Sequence, residues 1–138
     1  MEFSIKPYIG VGKIKLGMNQ EDIHEVLNEE PRRFKKFQDD EYETEAYESF
    51  YVYYKKNGTC EAIEFFSPAN VMLNGINLLE LPFKDIEKYF LKIDENVVIE
   101  ETGLTSYKYG VGIYAPYALD EPLEKAEGVI VFEKGYYE

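Results

Sequence analysis

The sequence predicts an α+β fold in which two short helices pack against one antiparallel sheet of about six to eight strands. Three observations lead to this prediction. The chain contains 13 Tyr and 9 Phe among 138 residues, and aromatic residues favour pleated strands. Two segments carry apolar residues at helical spacing. Each is followed by strand-like sequence, which indicates a tandem helix-plus-strands repeat within one domain over 1–138, with possible halves 1–70 and 71–138.

The first predicted helix follows a glycine-punctuated segment. Asn19 is a favourable N-cap residue. Ile23, Val26 and Leu27 then have the i, i+3, i+4 spacing of a buried stripe, and Pro31 is expected to end the helix.

Strands of the first half lie on either side of Asn57-Gly58, a dipeptide that predicts a two-residue type I′ hairpin. Successive side chains of the strand before it should point to opposite faces of the sheet. Two sets result: Phe50, Val52 and Tyr54, which we expect in the core, and Tyr51 and Tyr53, which we then expect to be exposed.

The second half repeats this order after a connection predicted at 67–75. The segment 78–93 repeats the opening of the first half. Pro82 suits the first turn of a second helix, and its buried stripe is marked by Phe83, Ile86, Tyr89, Phe90 and Ile93. At an offset of 63 residues Ile23 falls on Ile86, as expected for a duplicated unit. Further strands are predicted at 97–101, 107–114 and 129–132.

The charge of the chain is strongly acidic, with 27 Asp and Glu against 15 Lys and Arg and a formal net charge of −12. Binding to nucleic acid requires cations that displace counterions from phosphate, so no nucleic-acid partner is expected. The same field would attract a basic protein. Solubility alone is the other explanation of this charge.

The sequence shows no sign of export or membrane insertion. Cys60 is the single cysteine, so no intrachain disulfide can form. The N-terminus lacks a signal peptide, and no apolar run is long enough for a transmembrane helix. We expect a cytoplasmic protein with no membrane partner.

Few residues carry recognisable chemistry. His24 is the only histidine, too few for a zinc site of the usual ligands, and Cys60 would need His24 beside it as a base to act as a nucleophile. Glycine pairs at 10–12 and 110–112 lack the rest of a phosphate-binding motif and are predicted to be bends. We expect no catalytic residues, no metal and no cofactor.

An acidic segment with interleaved tyrosines is the candidate binding site. Tyrosine is enriched at interface hot spots, and neighbouring carboxylates complement Arg and Lys. A charged edge strand that blocks unwanted pairing and a metal site remain alternatives. The residues predicted to contact a partner are Asp39, Asp40, Glu41, Tyr42, Glu43, Glu45, Tyr47, Glu48, Tyr51 and Tyr53.

The segment 14–23 reads Ile-Lys-Leu-Gly-Met-Asn-Gln-Glu-Asp-Ile. It resembles the opening helix of domains with the beta-lactamase-inhibitor-protein-like fold, which consists of tandem helix-plus-sheet repeats. The chain also resembles small immunity proteins that accompany bacterial polymorphic and contact-dependent toxins. The match covers most of the chain in order and includes its ending, at 112–116, 129–132 and 135–137. This resemblance implies the fold and a binding role, without catalytic residues. Beta-lactamase inhibitors are secreted and disulfide-bonded, so the single cysteine here speaks against a lactamase target.

Together these features predict a non-enzymatic antitoxin that binds a cognate bacterial toxin, expected to be a basic nuclease domain, and neutralises it by stoichiometric inhibition. Two alternatives stay open. One is a cytosolic interaction domain or homodimer. The other is a small enzyme that uses carboxylates in a concave pocket.

Overall fold

The computed structural model describes residues 2–35, 37–39 and 42–137. This part of the chain contains 13 strands and two helices, α1 (Gln20–Leu27) and α2 (Phe83–Ile93), which confirms the predicted α+β class. The strands form an eight-stranded and a five-stranded sheet. Neither described helix is long and apolar enough to cross a membrane.

The larger sheet is entirely antiparallel and consists of two four-stranded meanders, each following a helix. The first meander contains β4 (Arg32–Phe34), β5 (Thr44–Ala46), β6 (Phe50–Tyr54) and β7 (Cys60–Phe65). The second contains β10 (Val98–Glu100), β11 (Gly103–Ser106), β12 (Val111–Tyr114) and β13 (Gly128–Phe132). Because β7 pairs with β13 at the centre, the strand order from the centre outward is the same in both halves.

The smaller sheet has the order β3-β2-β1-β8-β9. Its strands are β1 (Glu2–Lys6), β2 (Gly10–Val11), β3 (Ile14–Lys15), β8 (Asn70–Leu73) and β9 (Ile76–Asn77). The prediction of a connection at 67–75 is therefore wrong. The parallel pairing of β1 with β8 joins segments that are distant in sequence, so local sequence did not indicate the strand at 70–73.

The predicted first helix is confirmed, with one correction at its end. Asn19 caps α1, since its Oδ1 accepts a hydrogen bond from the Asp22 N–H at 2.8 Å. The helix ends at Leu27, before Pro31, because Asn28 adopts the left-handed conformation with φ 54°. This is a common way for helices to terminate.

The two halves repeat the same tertiary arrangement. Asn19 at the start of α1 bridges to Thr59 before β7, and Pro82 at the start of α2 bridges to Lys125 before β13. Each helix start is thus tied to the segment leading into the central strand of its own half.

One face of the larger sheet, the inner face, is covered by the helices and the smaller sheet. The Phe3 ring of β1 lies 4.8 Å from the Phe65 ring and 5.4 Å from the Phe50 ring. Ile23 of α1 and Phe90 of α2 are fully buried in the same cluster, which therefore includes side chains from both halves. The opposite face of the sheet is the outer face.

Two predicted strand features are wrong. Asn57-Gly58 does not form a type I′ turn, because only Gly58 of the pair has positive φ (84°). Asn57 Oδ1 instead accepts from the Thr59 N–H at 3.0 Å, which holds a wider turn. The strand predicted at 107–114 begins only at Val111, after a turn in which Gly110 has φ 67°, as the glycine pattern predicted.

Replacing Phe90 with alanine should lower the free energy of unfolding by about 3–5 kcal/mol, because it leaves a cavity in the core shared by both halves. Leu91→Ala is the matched control, since the neighbouring Leu91 side chain is 55% exposed, and its effect should stay within about 0.5 kcal/mol. Urea denaturation measures both. Equal effects would contradict the assignment of the buried helix face.

Candidate functional site

The described members of the ten residues predicted to contact a partner do not form one surface. Asp40 and Glu41 lie outside the described residues. Four others are exposed: Asp39, Tyr42, Glu43 and Glu48. Tyr51 is half-buried. The remaining three, Glu45, Tyr47 and Tyr53, are buried, so the expectation that they lie on the protein surface is wrong.

Glu45 is the centre of a buried polar cluster. Its side chain has no exposed surface, and its Oε2 lies 2.7 Å from His24 Nε2 and 3.2 Å from Arg33 Nε. Its Oε1 accepts a hydrogen bond from Tyr54 Oη at 2.5 Å. Three side chains from α1, β4 and β6 therefore satisfy one carboxylate on β5, as a buried charge requires.

Strand pairing explains why Glu45 points inward. On β5 it lies opposite Val52 of β6, a residue of the main core cluster, and cross-strand partners share one face of a sheet. The alternation of acids and other residues in this segment does not show which set faces the core. The inward orientation of Glu45 is compensated by His24 of α1 and Arg33 of β4, which are distant from it in sequence.

Tyr47 is buried by stacking on Phe50, with ring centroids 4.8 Å apart and an interplanar angle of 16°. Its hydroxyl has no hydrogen-bond partner among the described residues. Burial raises the pKa of Tyr47 above its ordinary value, and the neighbouring Glu45 carboxylate raises it further. Tyr47 therefore belongs to the inner side of the sheet.

Tyr53 does lie on the outer face, but that face is itself partly covered. Tyr53, Ala62 and Phe132 form a second buried cluster, against which Tyr51 and Tyr136 pack. The Tyr53 hydroxyl donates to Glu64 Oε1 at 2.5 Å. Burial, and then this hydrogen bond, raise the pKa of Tyr53 above its ordinary value.

Aromatic rings gather around Phe132 on the outer face. Tyr136 stacks on Phe132 at 5.8 Å with an interplanar angle of 22°, and Tyr137 meets it edge-on at 5.1 Å. Tyr8 and Tyr107 contact the same ring at 6.1 and 6.2 Å. The turn after β13 thus folds back over the sheet and adds a second aromatic layer.

Glycines open a trough of about 360 Å³ in this layer. Gly103, Gly112 and Gly128 lie on β11, β12 and β13, and Tyr114 pairs across the strands with both Gly103 and Gly128. At Gly103 φ is 145°, and an added Cβ would lie 1.8 Å from the Ile113 carbonyl oxygen. Only glycine fits this position, so the bare floor at Gly103 is built into the backbone.

The walls of the trough combine rings with carboxylates. Ile130, Tyr114, Tyr136 and Tyr137 line its sides, and no Lys or Arg is among the described residues that line it. Glu64 contributes a half-buried carboxylate from β7.

Burial, together with neighbouring acids, raises the pKa of Tyr136 and Tyr137. Burial raises the pKa of Tyr136 to about 12, with contributions from Tyr137 and from the Glu61 and Glu64 carboxylates. Burial also raises the pKa of Tyr137, and Tyr107, Glu64 and Glu100 add to the shift. Both phenols are therefore neutral hydrogen-bond donors at physiological pH.

The sequence reasoning missed Glu64, Glu100 and the glycines as site residues. The only signal for them was a set of glycines inside strand-like sequence, which often marks close approach of another group. That these glycines are neighbours follows from the pairing of β11, β12 and β13.

His24 and Cys60, the two residues with distinctive chemistry, both lie in contacts inside the fold. His24 meets Glu45, yet both Glu45 oxygens are already bonded and the carboxylate has no solvent-accessible surface. The Cys60 thiol is buried and lies 3.8 Å from the Ala62 carbonyl oxygen. Burial raises the pKa of Cys60 to about 12, so it is not a thiolate at neutral pH. No group of three or more His, Cys, Asp or Glu in the described ranges could hold a metal.

No family model, curated protein or solved structure matches this chain. Three features of the chain itself bear on its function. They are a sheet face rich in aromatic rings, a glycine-floored trough with carboxylates in its walls, and a net charge of −12.

Glu45→Gln should lower the free energy of unfolding by about 2 kcal/mol at neutral pH, because His24 and Arg33 lose a charged acceptor. The loss should stay below that of a fully buried pair, since both partners reach solvent. Glu43→Gln, at an exposed position on the same segment, should change stability by less than about 0.5 kcal/mol. Chemical denaturation compares the two, and a neutral Glu45→Gln would show that the cluster does not stabilise the fold.

Alkaline pH should unfold the protein in a step that coincides with ionisation of its buried tyrosines. Tyr47, Tyr53 and Tyr54 have a raised pKa in the folded state, mainly through burial. Their contribution is complete below about pH 10, where unfolded phenols keep their protons, and falls by about 1.4 kcal/mol per pH unit for each phenol above it.

Circular dichroism and tyrosinate absorbance, recorded together, test this. The buried tyrosines should ionise only together with unfolding. Tyr53→Phe should reduce the absorbance change of that step, whereas Tyr117→Phe, at a side chain that is 61% exposed, should leave it unchanged. Ionisation of the buried tyrosines in a protein that is still folded would contradict this account.

Proposed function

We propose that this protein is an antitoxin, or immunity protein, that binds a cognate bacterial toxin in the cytoplasm and neutralises it by stoichiometric inhibition. We further propose that the toxin is a basic nuclease domain. The observation that supports this most strongly is the outer face of the eight-stranded sheet, where aromatic rings surround carboxylates.

The composition of this face suits a protein partner. Tyr114 is 51% and Tyr137 53% exposed, and both belong to packed strands or turns. Tyrosines held in this way offer large contact areas at a low cost in side-chain entropy. Their hydroxyls can still bond to polar groups of the partner.

The negative net charge of the chain favours a positively charged partner. A net charge of −12 attracts a basic surface over the Debye length and repels nucleic acid. A nuclease domain must be basic where it contacts phosphate. An acidic inhibitor placed there would compete directly with its substrate.

The contact residues proposed here differ in part from those expected from sequence. Tyr51 stays in the set because it is half-buried on the outer face, opposite Glu64 in the strand pairing. The exposed acids Asp39, Glu43 and Glu48 are proposed to steer the encounter. Glu45, Tyr47 and Tyr53 are replaced by the residues around the trough.

Self-association through the outer face is the second candidate. Phe34 and Val98 on the edge strands of this face are 39% and 41% exposed, and apolar exposure of this kind occurs at homodimer interfaces. However, two copies would each bring a charge of −12. The repulsion between them favours a basic partner.

The test is titration of the purified protein against basic toxin domains encoded beside it. We expect a one-to-one complex by isothermal titration calorimetry, loss of toxin activity at equimolar inhibitor, and affinity that falls by about tenfold or more between about 0.05 and 0.5 M NaCl. A non-cognate basic nuclease is the control. Failure to bind any such domain, or a tight homodimer by light scattering, would overturn the proposal.

A further inference from the structure

The trough on the outer face has the shape of a side-chain pocket. Its volume of about 360 Å³ is at the lower end of ligand pockets, which span roughly 300–1,000 Å³. Gly103, Gly112 and Gly128, on three paired strands, form its floor, and the Ile130 side chain lies against Gly112. A rigid floor of this kind keeps the pocket formed before a partner arrives.

The charge inside the trough is negative and incompletely compensated. Glu64 Oε1 accepts from the Tyr53 hydroxyl. Glu64 Oε2 faces the trough, since a Cβ on Gly128 would lie 3.7 Å from it, and no hydrogen bond to Oε2 is formed within the described residues. Glu100, opposite Gly103 in the strand pairing, adds a second carboxylate at the edge strand.

The aromatic walls define which cation fits. Tyr114, Tyr136 and Tyr137 present rings beside these carboxylates. A guanidinium group is planar, stacks on aromatic faces and is more weakly hydrated than an ammonium group. It also donates two parallel hydrogen bonds to one carboxylate. A lysine could pair with the carboxylate, but its compact, strongly hydrated ammonium group would stack less well on the tyrosine rings.

We infer that this trough binds an arginine side chain presented by the protein partner, with its guanidinium paired to Glu64 and stacked on the surrounding tyrosine rings. The inference rests on the proposed function for the source of the arginine. The pocket itself is a property of this chain and can be tested without the toxin.

The direct test uses N-acetyl-arginine amide as the probe and NMR of the isotope-labelled protein as the readout. We expect saturable shifts of the amide signals of Gly103, Gly112 and Gly128, the floor of the trough. N-acetyl-citrulline amide, which has nearly the same shape without the charge, should bind at least about tenfold more weakly, as expected for loss of a charged hydrogen-bonded pair.

Two variants test the pocket from different sides. Glu64→Gln removes the charge and should weaken arginine binding about tenfold. Gly128→Ala places a methyl group in the trough and should weaken it as well. The fold should tolerate this change, because the new Cβ would meet only ordinary contacts of 3.6–3.9 Å.

Glu21→Gln is the matched control for both variants. Glu21 is exposed on α1, which packs on the inner face, and its replacement should leave binding unchanged. Equal binding of arginine and citrulline probes, or shifts that avoid the three glycines, would overturn the inference. Unchanged binding by Glu64→Gln and Gly128→Ala would do so too.

The same variants separate this inference from the proposed function. A toxin complex that Glu64→Gln and Gly128→Ala leave at full affinity would reject the arginine pocket while the antitoxin role stands. Saturable arginine binding at the glycines, with no toxin bound by the intact protein, would support the pocket and reject the antitoxin role.

Discussion

The antiparallel pairing of β7 with β13 is the contact on which the rest of the structure depends. It joins two four-stranded meanders, each with its own helix, into one eight-stranded sheet. On the inner face it places Ile63 beside Val131 and Phe65 beside Val129. These residues lie at the centre of a core to which both halves contribute side chains. On the outer face it places Glu64 of the first half beside Ile130 of the second. The trough therefore has a carboxylate from one half and a glycine floor from the other, and neither half could form it alone.

Period-two alternation along the strands decides which side chains these two faces receive, and the fold accommodates the polar ones in different ways. Glu45 is carried into the core by its pairing with Val52, and donors from three other strands and helices compensate its charge. Tyr53 is directed outward, but the turn after β13 covers it with a second aromatic layer. Burying these groups costs free energy unless each polar atom finds a partner, which explains why Glu45 and Tyr53 both lie in short hydrogen bonds.

The outer face combines rigidity with unmet interactions. Its rings are held by packing on Phe132 and its floor is sheet backbone, so little entropy would be lost when a partner docks. The charge of this face, in contrast, is not fully satisfied within the protein, because Tyr53 bonds only one oxygen of the half-buried Glu64 carboxylate. A surface that is ordered in shape but unsatisfied in charge is suited to a partner of complementary charge. This physical contrast supports the proposal that the protein inhibits a basic domain.

Local sequence was sufficient for the α+β class, the two helices and the duplicated order, because the Asn19 cap and the stripes at Ile23 and Phe90 act within one or two turns of chain. It also determined the acidic charge, which is a sum over residues and needs no coordinates. Only the tertiary structure decided which acids and tyrosines are exposed. Whether Glu45 points inward depends on His24 and Arg33, and whether Tyr53 is covered depends on a turn about 80 residues away. Strand pairing between distant segments fixes these neighbours, and alternation along one strand shows that two faces differ without showing which of them is buried.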